Sequence, residues 1–236
     1  MITATDFEEI YIAARTKENR LYTDAQVASL PVIEQTHIHS AEWEMRKRSA
    51  EKLFSRLQQK NRSLNILEVG CGNGWLSAML AGIDDAIVTG ADINQTELEQ
   101  ARRVFRNKKN LDFLSEDIRE IELEENRFDV IIFAASIQYF ESVEAIIQAA
   151  LLLLNKGGEI HILDSHFYKE QEVEAAATRT LSYYNSLGYE EMAGHYYHHS
   201  IQSVKKFNHK FLFDPSSLKN KLFKRTDPFP WICITA

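Results

Sequence analysis

The sequence has few of the features that mark secreted, membrane-spanning or metal-scaffolded proteins. Its 236 residues include only two cysteines, Cys71 and Cys233, which stand far apart and form no C-x-x-C pair. This excludes a disulfide framework and a thiolate zinc site. No run reaches the roughly 18 apolar residues of a membrane span, and no basic segment precedes an apolar one at the N-terminus. We therefore expect a cytoplasmic protein that does not associate with a membrane.

An excess of positive charge is also lacking. The chain carries 27 Lys and Arg against 34 Asp and Glu, a formal net charge of −7. Proteins that bind nucleic acids usually need a basic excess to neutralise phosphates, so we expect no nucleic-acid partner. The length and the 44% hydrophobic content fit one ordinary globular domain.

Short apolar, β-branched segments alternate with segments of helical period from about residue 64 to 188. The predicted strands are Asn65–Val69, Ala86–Asp92, Leu111–Leu114, Phe128–Ala134 and Glu159–Leu163. This alternation is typical of β-α-β units around a parallel sheet, so the sequence predicts a doubly wound, Rossmann-like α/β fold. We expect a helical extension or lid over residues 1–60 and the main domain over residues 61–236, within a single domain overall.

Helix signals support this division. Asn94 and Glu97 have the spacing of a capping box, and the helix predicted over Ser142–Leu154 ends at the glycine pair Gly157-Gly158. Ahead of the sheet, helices are predicted over Asp6–Arg15 and Ala41–Gln59, and a connector over Arg15–Gln35.

The segment Asn65–Ser77 reads N-I-L-E-V-G-C-G-N-G-W-L-S and contains the clearest motif. Gly70, Gly72 and Gly74 follow an apolar strand and precede a helix, where a glycine turn lets backbone approach a ligand. Trp75 occupies the place of the third glycine in the dinucleotide fingerprint and is too large for it, which disfavours a nicotinamide-dependent oxidoreductase. The spacing is instead E-x-G-x-G-x-G, beginning at Glu68.

With its flanking residues, this motif resembles the first motif of the class I S-adenosylmethionine-dependent methyltransferases. Later segments follow in the order of that family over about residues 60–165: T-G-A-D-I-N, S-E-D-I, R-F-D-V-I-I-F-A-A-S-I-Q-Y-F and L-L-N-K-G-G-E-I-H-I-L-D. The resemblance implies S-adenosyl-L-methionine as cofactor. It also implies a seven-stranded, mostly parallel sheet with one antiparallel strand and helices on both faces, so that two further strands follow residue 190.

The resemblance assigns roles to individual positions. Glu68 would meet the ammonium of the methionine tail, Asp92 both ribose hydroxyls, and Asp117 the adenine amino group. The predicted cofactor-binding residues are Glu68, Gly70, Gly72, Gly74, Asp92, Ile93, Asp117, Ile118 and Ala134. In the N-terminal part, Arg15 or Arg20 could meet the cofactor's carboxylate.

The implied reaction is direct displacement of the sulfonium methyl group by a nucleophile. After the fourth strand the chain reads A-S-I-Q-Y rather than the N/D-P-P-Y/F loop of nucleobase amino-group methyltransferases. We therefore expect a small-molecule metabolite or biosynthetic intermediate as acceptor. Two alternatives stay open: a module that binds the cofactor without transferring methyl groups, and an aminopropyltransferase-like enzyme on the same fold.

Candidates for the acceptor pocket come from histidines and tyrosines late in the chain. His195 and His199 have the i, i+4 spacing of a helical metal site, but no carboxylate motif accompanies them, so no metal is predicted. His166 lies just past the fifth strand with Asp164, where the end of that strand opens towards the cleft of such folds. The predicted bases are His166, His195 and His199, and the predicted acceptor contacts are Tyr139, Tyr196 and His198.

Overall fold

The computed structural model describes residues 4–120, 127–217, 220 and 227–235. Its strands are β1 (Leu64–Val69), β2 (Ala86–Asp92), β3 (Leu111–Ser115), β4 (Phe128–Ala134), β5 (Leu154–Leu163), β6 (Phe167–Tyr168), β7 (His199–Ser200), β8 (His209–Phe213) and β9 (Trp231–Thr235). Seven of them form one sheet in the order β3-β2-β1-β4-β5-β9-β8, and β6 pairs with β7 separately. Only β9 runs antiparallel to its neighbours in the large sheet. The predicted fold class is confirmed.

The helices are α1 (Ala4–Lys17), α2 (Asp24–Ser29), α3 (Ser40–Gln58), α4 (Trp75–Leu80), α5 (Gln95–Val104), α6 (Val143–Leu153), α7 (Val173–Leu187) and α8 (Ile201–Lys205). Short 3₁₀ turns cover Ile137–Tyr139, Glu170–Glu172 and Glu190–His195. None of the described helices is long and apolar enough to cross a membrane.

Strand side chains alternate between the two faces of the sheet, and each face has its own core. Ile131 packs in a cluster that includes α6 and α8, whereas its neighbour Ile132 packs in a cluster that includes α3 and α4. The pattern of consecutive apolar residues in β4 is therefore that of a strand covered on both sides.

Three local details differ from the sequence-based predictions. The connector after α1 contains the short helix α2, which begins at the N-cap Thr23. β5 begins at Leu154 rather than Glu159, because the glycine pair forms an irregularity within the strand, with φ +78° at Gly157. Asn94 caps α5 as predicted by accepting from the Glu97 amide, but no return bond from the Glu97 side chain completes a capping box.

Helix α1 packs with α7 and the turn Glu190–His195 around a small separate core. Ala14, Tyr184 and Met192 are its buried members, with 1–3% of each exposed. This core joins the N-terminal helix to the segment that follows β5, and both elements contribute side chains to the cavity described next.

Candidate functional site

A cavity of about 730 Å³ opens at the carboxyl ends of the central strands. Its floor comprises the loops that follow β1, β2, β4 and β5, while α1, α3 and α7 supply its cover. The strand order reverses between β1 and β4, and such a switch point is where doubly wound sheets bind ligands. The fold therefore places one continuous pocket at the expected crevice.

The glycine loop forms the tightest part of the floor. Gly70 has φ +72°, and a Cβ atom there would come within 2.5 Å of the Ser136 Cβ. The Ser136 hydroxyl donates to the Val69 carbonyl at 2.6 Å, which ties the exit of β4 to the end of β1. Gly74 has φ +74° and would place a Cβ atom 2.6 Å from the Phe113 ring. Both positions thus require glycine for conformation and for space.

Three carboxyl groups converge beside this loop. Glu68 is buried and accepts from the Ser77 hydroxyl at 2.5 Å, and burial raises its pKa to about 8. Asp92 accepts from the amides of Gly72 at 2.7 Å and Asn94 at 2.9 Å, and burial raises its pKa. Burial and the nearby Asp92 raise the pKa of Glu97 to about 7. This end of the cavity suits a ligand that brings a cation and hydroxyl donors, and it repels phosphate.

Arginines face these acids from the cover. Arg20 and Arg46 bind the Glu42 carboxylate at 2.7 and 2.9 Å, and Arg20 also lies 3.6 Å from the Glu18 carboxylate that Arg15 binds. Three guanidinium groups thus face two carboxylates, which leaves an excess of positive charge. Arg15 donates to Glu18 at 2.5 Å and to the Tyr139 hydroxyl. The described cavity therefore offers acids on one wall and an excess of guanidinium on the facing wall, which matches the ammonium and carboxylate of an amino-acid tail.

The predicted cofactor residues do not all reach this cavity. Those that line it are Glu68, Gly70, Gly72, Asp92 and Ala134. Gly74 stands just behind as the N-cap of α4, and Ile93 is 45% exposed. Asp117 binds Arg119 at 2.9 Å, and Ile118 is buried in the core. The adenine contact of Asp117 and the cofactor contact of Ile118 stay predictions.

The predicted acceptor residues divide in the same way. His166, Tyr139 and Tyr196 line the cavity. His195 ends a 3₁₀ turn and packs against the Phe7 ring at 4.8 Å, whereas His199 begins β7 and is buried with a ring nitrogen 3.2 Å from the Ile137 carbonyl. They do not share a helix face, because only the first of them lies in a helical turn. The His198 Nε2 atom lies 2.8 Å from the Thr180 hydroxyl, and His198 is not among the residues that line the cavity.

Several lining residues escaped the sequence-based prediction. They are Arg46, Glu97, Asp164, Tyr168, Arg179 and Phe229. Asp164 directly follows β5, much as Asp92 ends β2, so an acid at the end of a strand was a signal that the sequence offered. Burial raises the pKa of Asp164 to about 6, and the Ser49 hydroxyl donates to its carboxyl group at 2.7 Å. The others come from distant segments, and no local motif marks them.

A second group of candidate metal ligands lies away from the cavity. Glu159, His161 and Cys233 bring their ligand atoms within 4.8 Å of one another. Both ring nitrogens of His161 are already engaged, one by the Trp231 indole and one by Glu159, each at 3.1 Å. Glu159 also pairs with Arg56 and Lys60. These contacts make the group a structural network between α3 and the sheet.

Known proteins match the same region of the chain. A family model described as "Methyltransferase domain" matches residues 66–158. The malonyl-[acyl-carrier protein] O-methyltransferase of Bacillus anthracis is 33% identical over 108 residues, which cover 44% of this chain and 39% of that protein. The ubiquinone biosynthesis O-methyltransferase of Coxiella burnetii is 29% identical over 97 residues, 41% of each chain. The chain thus spans about two-fifths of the length of these curated relatives.

Solved structures extend the likeness to the whole fold. The plantazolicin methyltransferase BpumL in complex with SAH has a TM-score of 0.55 at 17% identity, covering 99% of this chain and 98% of that one. The YcgJ protein of Bacillus subtilis has a TM-score of 0.56 at 14% identity, covering 69% and 71%. Residues 66–158 belong to a methyltransferase domain, and the chain as a whole has the fold of S-adenosylmethionine-dependent methyltransferases. The resemblance predicted from the glycine loop is confirmed.

S-adenosyl-L-methionine, the cofactor of this family, fits the residues present. The glycine loop admits a close ligand, and the acids Glu68, Asp92 and Glu97 suit its ammonium and ribose hydroxyls. Arg15, Arg20 and Arg46 together outnumber their partners Glu18 and Glu42, so this group suits the cofactor's carboxylate. These groups suit a ligand with an uncharged ribose and a zwitterionic tail. The same three acids would repel the pyrophosphate of a dinucleotide.

Proposed function

We propose that this chain transfers the methyl group of S-adenosyl-L-methionine to an oxygen atom of a small-molecule metabolite or biosynthetic intermediate. The observation that carries the proposal is the single cavity that joins an acid-lined end over β1 and β2 to an aromatic end over β4 and β5. The names of the curated relatives, which are O-methyltransferases, support oxygen as the acceptor atom. They also add malonyl-[acyl-carrier protein] to the acceptors to be tested.

The residues of the chain mainly bind, orient and exclude water. When bound, the sulfonium supplies an activated methyl group that a nucleophile displaces in line. Glu68, Asp92 and Glu97 hold the cofactor from the floor, and α1 covers it through Tyr11 and Arg15. Closing the pocket in this way aligns the reactants and limits competing hydrolysis.

His166 takes the proton from the acceptor hydroxyl in this proposal. It lines the cavity directly after β5, and burial, followed by the charge of Arg179, lowers its pKa. The ring is therefore neutral near pH 7 and can accept a proton. Asp164 faces the same space from the end of the strand, and Tyr139 and Tyr196 form the adjoining aromatic wall.

The test is turnover of methyl-labelled cofactor with an acceptor panel of hydroxylated and carboxylated metabolites and malonyl-[acyl-carrier protein]. We expect S-adenosylhomocysteine to form with at least one acceptor, and His166→Gln to lower kcat by at least tenfold with little change in the KM for the cofactor. His209→Gln is the matched control, because His209 lies on the edge strand β8. Binding of S-adenosylhomocysteine with no turnover of any acceptor would leave the cofactor-binding module as the function.

A further inference from the structure

We infer that the methyl acceptor carries an anionic group, a carboxylate or a phosphoryl group, which Arg179 holds at the mouth of the cavity together with Tyr168, next to His166. This inference rests on the proposed function and names the class of its acceptor.

The mouth of the cavity gathers polar groups that lack protein partners. Arg179 comes from α7, Tyr168 from β6 and His166 from the loop after β5, and all three line the cavity. None of their side chains makes a hydrogen bond or ion pair with any residue that the structure describes. Arg179 and His166 are exposed and Tyr168 is half-buried, so these side chains mark where the cavity opens to solvent. Three separate elements thus present hydrogen-bonding groups to one space, where a ligand that enters the cavity can meet them together.

Arg179 supplies a positive charge at this mouth and makes no ion pair with a residue that the structure describes. An acid of the floor, Asp164, lines the same cavity and accepts from the Ser49 hydroxyl. Glu172, which lies in the turn before α7, forms its ion pair with Lys169 at 3.3 Å, and the more distant charge of Arg179 helps to lower the pKa of Glu172. Arg179 is close enough to His166 that its charge adds to burial in lowering the pKa of that ring. A guanidinium fork beside a phenol and an imidazole offers carboxylate or phosphoryl oxygens several donors at once, and it repels amines.

The mouth also leads into the aromatic wall of the chamber. Tyr168 contacts His166 and His198 with ring centroids 5.6 Å apart in each case. His198 contacts Tyr196 at 5.3 Å, and Tyr196 contacts Tyr139 at 5.7 Å. An acceptor anchored at Arg179 would therefore lay its body along these rings and bring its hydroxyl beside His166. An aromatic acid is the simplest probe of both features.

The experiment titrates probes into protein saturated with S-adenosylhomocysteine and follows them by ligand-observed NMR. The probes are benzoate, its neutral counterpart benzamide, and inorganic phosphate. We expect an anion to bind at least fivefold more tightly than benzamide, and Arg179→Gln to remove that preference while Arg179→Lys keeps part of it. Arg103→Gln is the matched control, since Arg103 is an exposed arginine paired with Asp24 on another helix.

The outcomes distinguish a failure of the anionic-acceptor inference from a failure of the proposed function. Binding of benzoate that depends on Arg179 indicates a carboxylate acceptor, and binding of phosphate alone indicates a phosphoryl group. Equal binding of benzoate and benzamide, an unchanged anion affinity in Arg179→Gln, or no binding of either anion overturns the inference. Failure of S-adenosylhomocysteine itself to bind would instead overturn the proposed function.

Discussion

Glu97 faces the cavity from the first turn of α5, and its carboxyl group has no hydrogen-bond partner among the described residues. Its pKa of about 7 reflects burial and the neighbouring Asp92. A ligand that brings an ammonium or hydroxyl donors favours the ionised carboxyl group, so binding releases a proton below pH 7. We expect the affinity for S-adenosylhomocysteine to rise about threefold to tenfold from pH 6 to pH 7.5, measured by calorimetry.

Glu97→Gln should flatten that rise, since the amide does not titrate. The same variant should be more stable than the natural protein at pH 8 without ligand. The reason is that a carboxyl group whose folded pKa is raised contributes stability that is lost as pH rises through about 7. Glu99→Gln, at an exposed position on the same helix, is the control. An unchanged pH profile in Glu97→Gln would contradict the assignment of this carboxyl group to the cofactor.

At the scale of elements, helix α1 connects the cover to the floor. The Glu8 carboxylate accepts from the Thr96 amide at 2.8 Å and from its hydroxyl at 2.7 Å, so it caps the N-terminus of α5 from another helix. An acid at this end also suits the helix dipole. About two helical turns after Glu8, Arg15 binds Tyr139 and Glu18. The two contacts hold α1 across the cofactor end of the cavity.

Glu8→Ala should therefore loosen the cover without unfolding the sheet. Losing this contact costs about 1 kcal/mol of docking free energy. We expect amide hydrogen exchange in α1 to accelerate about fivefold, with exchange in β1 and β4 unchanged, and the affinity for S-adenosylhomocysteine to fall severalfold. Glu9→Ala is the natural control, because Glu9 is exposed on the same helix. Equal exchange in the two variants would show that α1 is held by its apolar core alone.

The regular elements were the most predictable part of the fold. β2 and β4 begin and end where the apolar, β-branched segments do, because strands covered on both faces leave an uninterrupted hydrophobic signal. Helix α2 was missed because six residues with one buried side chain, Val27, show no periodicity. The early start of β5 was missed because a glycine pair usually ends an element, whereas here it forms a bulge inside one.

At the scale of the whole molecule, the residues at the cofactor end of the site could be predicted from the sequence, whereas those at the acceptor end could not. Glu68 and Asp92 belong to contiguous motifs at strand ends, so their spacing predicts where they meet. The mouth of the cavity gathers His166, Arg179 and Phe229 from separate segments, and only the packing of α7 and the chain before β9 brings them together. His195 and His199 show the converse case: they are close in sequence, but the structure places them in different surroundings, one against Phe7 and the other beside the Ile137 carbonyl.

The domain boundary predicted at residue 60 stays a proposal. Trp43, Leu53 and Leu57 of α3 are buried in the same core cluster as Leu64 and Ile66 of β1. We expect that removing residues 1–60 would expose this core, so the extension is proposed as an integral layer of one domain.

Calorimetric titration of S-adenosylhomocysteine into the natural protein and into Asp92→Ala tests the central claim most directly. Asp92 positions the glycine loop through the Gly72 amide and faces the ligand space, so we predict micromolar binding that weakens at least tenfold in the variant. Asp112→Ala, an exposed carboxylate on the adjacent strand β3, should bind like the natural protein. Absence of binding to the natural protein, or equal affinity in Asp92→Ala, would contradict the account.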